Sequence, residues 1–322
     1  MSLIVQKFGG SSVADADKLL QSARIVKSAR DAGHDVIVVV SAQGDTTDHL
    51  LQKARELAPS PAPRELDALL AAGEQVSAAL CAMALETLGV PAVSLNAWQV
   101  PLEGAGEHGD ARIARVGRER VEAAVAERRV PVVTGFQAVS GRGDLVTLGR
   151  GGSDYSAVAL AAAFGAARCV IYTDVDGVFT ADPRVCPTAR RLESVSYADM
   201  YALSHAGAQV LHDKCVALAQ ERGVEPEVRE RRMDSVGTRV CARGERRDVV
   251  GVTRQLREGD ALAAVTVVGA ASLSLEKRAL AALQAAGVAV EGVDASERTM
   301  AIYVPRERSR QALCAVHDAL IQ

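Results

Sequence analysis

Residues 35–40 read DVIVVV, an unbroken run of mostly β-branched apolar side chains. Such a run is typical of a strand that is buried on both faces, as in a parallel sheet covered by helices. A second strand is predicted at Leu3–Phe8 (LIVQKF). The segment between them, Asp15–Ala32, has a helical apolar period formed by Leu19, Ala23, Val26 and Ala29. Strand, helix and strand in this order predict a βαβ crossover.

The same alternation continues through the first two hundred residues. Further strands are predicted at Ala92–Leu95, Val130–Thr134 and Cys169–Tyr172, and helices at about Arg64–Leu88, from near Asp154, and at Ala208–Arg222. Strands separated by helices indicate a mainly parallel sheet between layers of helices. The predicted fold class is therefore α/β with three layers.

The C-terminal part has a different pattern. It predicts a strand (Ala263–Val268), a helix (Leu273–Ala286), two strands (Val288–Val293 and Met300–Val304) and a final helix (Arg308–Ile321). The order β, α, β, β, α is typical of a small ferredoxin-like α+β domain. We place the boundary so that residues 1–243 form one domain and residues 244–322 the other.

The composition limits the kinds of function. The chain has 322 residues, which suits two domains, and its 48% apolar and 24% charged residues are those of a globular protein. Lys and Arg number 37 against 40 Asp and Glu, a net charge of −3. Since no strong overall field results, we expect no nucleic-acid or membrane partner. Because the N-terminal residues MSLIVQKFGG do not form the apolar core of a signal peptide, we also expect a cytoplasmic location.

Cysteine usage points the same way. The six cysteines stand at 81, 169, 186, 215, 241 and 314, with no CxxC pair. Most lie in apolar stretches, so we expect reduced, buried thiols and no metal site.

Two glycine-rich loops are the strongest chemical signal: KFGGSS at 7–12 and GRGGSD at 149–154, each between a strand end and a helix. Consecutive glycines let backbone N–H groups approach an anion, and a helix N-terminus adds positive potential. A tight turn would explain either loop alone, but two charged loops in one chain favour phosphate binding. Neither matches GxxxxGK[ST] or GxGxxG, which argues against a P-loop and a dinucleotide site.

Two further features lie at predicted strand ends. Lys7 is either an edge lysine that reaches solvent or a cation directed at phosphate oxygens. The stretch YTDVDGVF at 172–179 runs from a strand into two acids and a glycine. It lacks the later ligand positions of a calcium loop, so a nucleotide-contacting loop fits better.

Six stretches together resemble the aspartate kinases of the amino-acid kinase fold: KFGGSS (7–12), SAQGDTTDHL (41–50), AAGEQVSAAL (71–80), TLGRGGSDYSAVAL (147–160), YTDVDGVFTADPR (172–184) and SYADMYALSHAGAQVLH (196–212). The resemblance covers about residues 3–240, and the C-terminal part is similar to a single, shortened ACT module. It implies transfer of the γ-phosphoryl group of ATP, carried with Mg²⁺, to the β-carboxylate of L-aspartate. The products would be 4-phospho-L-aspartate and ADP.

The resemblance also implies roles for individual residues. Lys7 and Asp154 would be catalytic, Glu74 would receive the α-ammonium of the substrate, and Arg150 would hold a carboxylate with its planar fork. The full substrate set is Ser41, Thr47, Glu74, Arg150 and Ser153. The nucleotide set is Lys7, Gly9, Gly10, Ser11, Thr173, Asp174, Phe179, Arg184, Gln209 and Val210. No catalytic histidine is needed, because a carboxylate acceptor with a pKa of about 4 is already ionised at pH 7.

The chain departs from this family pattern at two informative positions. Gln209 replaces a lysine that usually lies beside the nucleotide. Ala289 replaces the usual effector-site asparagine, which removes a donor and an acceptor and predicts weak or absent feedback by lysine or threonine. We expect a homodimer formed through the ACT module. A kinase for another carboxylate such as glutamate, and an inactive kinase-like regulatory protein, remain open, although intact Lys7, Arg150 and Asp154 argue against the latter.

Overall fold

The computed structural model describes residues 2–232, 234–256, 259–270 and 272–321. In chain order the elements are β1 (Leu3–Phe8), α1 (Ala16–Asp31), β2 (Asp35–Val40), α2 (Thr46–Leu57), α3 (Pro63–Leu70), α4 (Ala72–Thr87), β3 (Ala92–Leu95), β4 (Leu102–Ala105), β5 (Arg112–Val116), α5 (Glu119–Ala126), β6 (Val130–Thr134), β7 (Gln137–Ser140), β8 (Leu145–Thr147), α6 (Gly152–Phe164) and β9 (Arg168–Thr173). They continue with β10 (Ser194–Ser196), α7 (Tyr197–His205), α8 (Asp213–Arg222), β11 (Pro226–Glu230), β12 (Thr238–Cys241), β13 (Val249–Leu256), β14 (Leu262–Gly269), α9 (Leu273–Ala285), β15 (Gly292–Ala295), β16 (Thr299–Pro305) and α10 (Ser309–Leu320). The chain divides into two compact units: a first unit up to Asp176 with Leu218–Val236, and a second unit of Gly177–Ala217 with the chain from Gly237.

The first unit is built on six parallel strands in the order β11-β9-β1-β2-β6-β3. The strands predicted at 3–8, 35–40, 92–95 and 130–134 are confirmed with the same bounds. Along β2, five of six residues are buried. Its Val36, Val38 and Val40 join a core formed with α1 and α4, while α6 packs against the sheet. An unbroken apolar run is therefore required there, because both faces of the strand are covered.

The strand order places the predicted site residues at one edge. From β1 the chain proceeds to β2 on one side, and later reaches β9 on the other side of β1. The carboxyl ends of β9, β1, β2 and β6 therefore lie together, followed in sequence by Asp174, Gly9, Ser41 and Gly135. Open α/β sheets bind their ligands at this edge, where the strand order reverses.

A second sheet in this unit, β5-β4-β7-β8, is not predicted from the sequence. Its strands have three to five residues, and β5 (RIARV) has no fully buried residue. Strands this short, one of them without a buried residue, lack the apolar alternation by which a strand is recognised.

The predicted long helix over Arg64–Leu88 is wrong in one respect: it is two helices, α3 and α4, that meet at Ala71. The Ala71 carbonyl accepts a hydrogen bond from Gln137 Nε2 at 3.0 Å. The carbonyl at the junction of the two helices is thus bonded to β7.

By length and composition alone, Pro63–Thr87 is apolar enough to cross a membrane. Half of its most apolar window is buried inside the protein, and α4 buries the polar Glu74 and Ser77 beside Ala78, Cys81 and Leu85. Such a pattern is that of a core helix, since buried polar groups need partners that a protein interior supplies.

In the second unit, β10 and β12 pair in parallel, and β13-β14-β16-β15 form an antiparallel sheet that packs with α9 and α10 around a common core. The predicted strand at Val288–Val293 is misplaced, because the Val288 N–H donates to Leu283 O in the turn that follows α9. The strand β15 begins only at Gly292. The strand β13 was not predicted from the sequence. It lies beside β14, at the sheet position that a ferredoxin-like fold gives to a final strand after its second helix.

The helix predicted over Ala208–Arg222 begins later, at Asp213. Gly207, with φ +102°, follows the end of α7, and the Ser204 hydroxyl donates to Leu211 O at 2.7 Å. Residues 208–212 therefore form an irregular loop instead of a first helical turn.

Candidate active site

Lys7 lies at the centre of the sheet of the first unit, on β1 between β9 and β2, so it is not an edge lysine. Its side chain is 10% exposed, and its Nζ lies 2.6 Å from Asp154 Oδ1 on the first turn of α6. An unpaired ammonium at this depth would be costly, and the Asp154 carboxylate offsets part of that cost. The pair holds a cation beside the carboxyl end of β1.

The second glycine loop leads directly into α6, as predicted. Gly149 and Gly151 have φ of +76° and +71°, a conformation that L side chains rarely adopt. Gly151 is the N-cap of α6 and provides no side-chain hydrogen bond to the helix. The N-terminus of α6 therefore keeps the positive potential that favours an anion.

The first glycine loop differs from the prediction, because no α-helix starts there. Gly10–Ser12 form a short 3₁₀ turn, and α1 begins at Ala16 with the Asp15 carboxylate accepting the Lys18 N–H. The loop itself is closely packed: a Cβ on Gly10 would lie 2.7 Å from Ala42 O. Only the second loop thus combines glycines with the N-terminus of an α-helix.

Glu74, on the first turn of α4, is 3% exposed. A Cβ on Gly73 would lie 2.7 Å from the Ala42 Cβ, and this close approach lets the Ala42 N–H donate to Glu74 Oε1 at 2.8 Å. Glu74 Oε2 is buried and has no hydrogen-bond partner among the described residues. Burial raises the pKa of the Glu74 carboxyl to about 8, although the Ala42 N–H and the Lys7 charge lower it. The site thus contains a carboxyl group with one oxygen unused.

Asp67 on α3 is a buried acid that the sequence analysis did not single out. This carboxylate, 2% exposed, accepts hydrogen bonds from the Thr147 N–H (3.0 Å), the Thr147 hydroxyl (2.6 Å) and the Gly109 N–H (3.0 Å). His108 Nδ1 lies 2.8 Å from it. Thr147 ends β8 three residues before Arg150, so Asp67 fixes the strand end that leads into the second glycine loop. The available signal was an acid within the apolar run of α3.

The remaining substrate residues occupy the same unit. Ser41 follows β2 and its N–H donates to Phe8 O at 3.1 Å, and Thr47 lies in the first turn of α2. Ser153 is buried on α6, where a Cβ on Gly135 would clash with it at 2.7 Å. Arg150 is exposed in the turn before α6, and within the described residues it has no hydrogen bond or ion pair.

The predicted nucleotide residues are distributed over both units. Lys7, Gly9, Gly10, Ser11, Thr173 and Asp174 belong to the first, where Gly9 N–H donates to Tyr172 O at 3.3 Å at the end of β9. Phe179, Arg184, Gln209 and Val210 belong to the second. There Phe179 bridges to Arg191, Arg184 Nε donates to Asp182 Oδ1 at 3.0 Å, and the other two lie in the loop between α7 and α8.

Comparison with known proteins identifies the family. The sequence model of the amino acid kinase family matches residues 2–229. The chain belongs to the amino acid kinase family. Within the family it is similar to an aspartokinase of Mycolicibacterium smegmatis, with 50% identity over 239 residues, which cover 74% of this chain and 57% of that protein. An aspartokinase of Thermus thermophilus is 38% identical over 332 residues, which cover all of this chain and 81% of the relative.

Among solved structures, E. coli aspartokinase III in complex with aspartate and ADP has a TM-score of 0.84 at 22% identity, and covers 99% of this chain and 100% of that one. At this identity the likeness supports the amino acid kinase fold. The chain spans 57% of the length of the Mycolicibacterium relative.

Proposed function

We propose that the chain is an aspartate kinase, which transfers the γ-phosphoryl group of ATP to the β-carboxylate of L-aspartate. The observation that carries the proposal is a buried cation, Lys7, near a buried carboxyl, Glu74, at the carboxyl edge of the sheet. A site for phosphate and an α-amino dicarboxylate needs both, one to attract phosphoryl oxygens and one to attract an ammonium group.

In this proposal the chemistry depends on charge and alignment. Phosphoryl transfer needs positive charge and N–H donors around the transferred group, and an ionised carboxylate acceptor needs no general base. Lys7 would neutralise the phosphoryl group, and Asp154 would hold the ammonium group of Lys7 in place. The N-terminus of α6 would face phosphate oxygens. Mg²⁺ would arrive with the nucleotide and neutralise its β- and γ-phosphate charge, since this edge offers N–H groups and Lys7 for the phosphates.

The acceptor would be held by one anionic and one cationic side chain, Glu74 and Arg150. Glu74 Oε2, which has no partner among the described residues, would accept the α-ammonium group. Arg150 would bind the α-carboxylate, with Ser41, Thr47 and Ser153 as hydrogen-bonding neighbours. The related E. coli aspartokinase III was crystallised with aspartate and ADP, which supports this choice of acceptor.

We further propose the nucleotide contacts and the assembly. Gly9, Gly10 and Ser11 would surround phosphates, and Thr173, Asp174, Phe179, Arg184, Gln209 and Val210 would hold the rest of the nucleotide. Residues 1–243 would form the catalytic domain and residues 244–322 an ACT-like domain through which two cytoplasmic chains pair.

Feedback regulation is proposed to be weak. Ala289 is exposed in the segment between α9 and β15 and offers no polar side chain to an amino-acid effector. Millimolar lysine or threonine should therefore change the rate by less than about twofold, measured at subsaturating aspartate. Sigmoidal inhibition by either amino acid would contradict this.

One experiment tests the proposed activity against both alternatives. The purified chain is given MgATP and hydroxylamine with aspartate, glutamate or a β-blocked aspartate, and acyl phosphate is measured as the hydroxamate. Hydroxamate from aspartate, lost in Lys7→Ala, supports the proposal. Product from another carboxylate alone identifies a different kinase, and no product from any acceptor identifies an inactive protein.

A further inference from the structure

Three side chains of the second unit bring sulfur, nitrogen and oxygen donors together. They are Cys186 in the loop after Asp182 and, on α10, His317 and Asp318, whose donor atoms all lie within 4.8 Å of one another. Cys186 is fully buried and His317 is 1% exposed, while Asp318 reaches the surface. The proposed kinase chemistry uses none of them.

The three donor atoms face a common point. The Thr188 hydroxyl oxygen lies 3.1 Å from Cys186 Sγ, 3.3 Å from His317 Nδ1 and 2.5 Å from Asp318 Oδ1. The Thr188 hydroxyl oxygen thus lies between a thiol, an imidazole and a carboxylate. A hydroxyl on a single χ1 torsion can leave this point by changing rotamer.

The histidine ring is oriented by its second nitrogen. His317 Nε2 lies 2.9 Å from the buried Thr180 hydroxyl oxygen, which also accepts the Arg190 N–H at 2.9 Å. Histidines that bind metals characteristically use their other ring nitrogen in this way, and the contact leaves Nδ1 for the cluster.

We propose that Cys186, His317 and Asp318 bind a divalent cation of the zinc type. A thiolate, an imidazole and a carboxylate suit Zn²⁺, which takes four ligands tetrahedrally, so a water molecule fills the fourth position. Bond lengths of about 2.0–2.3 Å set the donors roughly 3.3–3.8 Å apart, which requires shifts of about 1 Å and rotation of Thr188. Cation binding deprotonates Cys186 and releases that proton to solvent.

The consequence concerns the loop that follows Phe179. The cation joins this loop, which carries the predicted nucleotide residue Arg184, to the C-terminal helix α10 of the same unit. Without a cation, the hydrogen bonds of Thr188 make the same connection less strongly. The inference is independent of the proposed acceptor, because it rests on donor geometry alone.

The test uses the full chain, freed of metal with a chelator and titrated with Co²⁺, whose thiolate charge-transfer absorption reports a cysteine ligand. We expect one Co²⁺ per chain, displaced by Zn²⁺. Cys186→Ala should abolish the absorption, Asp318→Asn should weaken binding about tenfold or more, and Thr188→Ala should strengthen it. Cys241→Ser, which changes a buried thiol of the same unit outside the cluster, is the matched control and should leave binding unchanged.

The proposal fails if the unaltered chain gives no charge-transfer band, or if the band survives Cys186→Ala. Should circular dichroism show that Cys186→Ala is unfolded, Asp318→Asn decides, because that carboxylate is at the surface and its loss leaves the fold intact. Unchanged cobalt affinity in Asp318→Asn, or weaker binding in Thr188→Ala, would mean that the cluster is only a hydrogen-bond network.

Discussion

Glu74→Gln is the most informative single change, because it removes a charge and almost no volume. In the folded, unliganded chain, burial raises the pKa of the Glu74 carboxyl from 4.5 to about 8. Each pKa unit corresponds to about 1.4 kcal/mol between the two protonation states. Placing a full negative charge at this position therefore costs the folded chain about 5 kcal/mol relative to the unfolded chain.

The sign of the effect follows from proton binding. Below pH 4.5 Glu74 is protonated in both states and contributes no pH dependence. Between pH 4.5 and about 8 the unfolded chain has lost this proton and the folded chain keeps it, so the free energy of unfolding falls as the pH rises. At pH 7 this lowers the free energy of unfolding of the unaltered chain by about 3 kcal/mol, whereas that of Glu74→Gln is not lowered.

The assay is urea unfolding of both unliganded proteins at pH 6, 7 and 8. The stability of Glu74→Gln relative to the unaltered chain should increase by slightly more than 1 kcal/mol from pH 6 to 7 and by about 1 kcal/mol from pH 7 to 8, since all other groups cancel in the difference and the folded carboxyl is itself half ionised at pH 8. Glu86→Gln, which changes an exposed acid of the same helix, is the matched control, and the pH dependence found for Glu74→Gln is compared with it. If the free energies of unfolding of Glu74→Gln and of the unaltered chain changed equally with pH, Glu74 would be ionised in the folded chain, and the reasoning would be refuted.

The same pKa predicts a proton release on substrate binding. With a pKa of about 8, about nine tenths of Glu74 is protonated at pH 7, and an ammonium group binds the ionised form. Aspartate binding at pH 7 should therefore release close to one proton, measured calorimetrically in buffers of different ionisation enthalpy. Glu74→Gln should lose aspartate binding. A pH-dependent stability difference without proton release would show that Glu74 is buried but does not receive the ammonium group.

Three further substitutions test the rest of the site. Lys7→Ala should lower kcat by about 10²–10³ with little change in KM for aspartate, because it removes charge that stabilises the transferring group; equal steady-state activity would remove Lys7 from the mechanism. Arg150→Lys should raise KM for aspartate but not the Kd for ATP, since a point charge does not replace a planar fork. Asp67→Asn should lower the free energy of unfolding by about 3 kcal/mol and raise KM for aspartate more than KM for ATP. If both KM values stayed unchanged, Asp67 would serve stability alone.

The parts of the fold that could be predicted are those in which local pattern and burial agree. DVIVVV at 35–40 is a strand because helices cover both of its faces, and its bounds follow from the sequence. The strand β13 and the start of β15 could not be predicted in the same way. The edge position of β13 depends on pairing with β14, and Val288 lies in the turn that follows α9 through its bond to Leu283. Long-range pairing decides these elements, and local alternation does not encode it.

For the site, the sequence could indicate which residue types are present but not their environment. Lys7 and the loop at 149–154 were evident from their charge and glycines. The unused oxygen of Glu74 and its raised pKa were not, because both arise from burial and from one N–H that lies 32 residues earlier in the chain. Asp67 was missed for the same reason, since its partners Gly109 and Thr147 lie 42 and 80 residues later.

The glycines of the site also have two different physical functions that a sequence does not separate. Gly149 and Gly151 adopt positive φ, so their role is conformational. Gly73 and Gly135 do not, and their role is to allow a close approach. A Cβ on Gly73, at the start of α4, would lie 2.7 Å from Ala42, and a Cβ on Gly135 would lie 2.7 Å from Ser153 at the start of α6. Contacts this short do not occur between real side-chain and Cβ atoms, so the two helix starts lie as close to the strand ends as glycine permits. The depth at which Glu74 and Asp154 are buried follows from that approach, and with it the proton affinity of Glu74 on which the proposed recognition of an ammonium group depends.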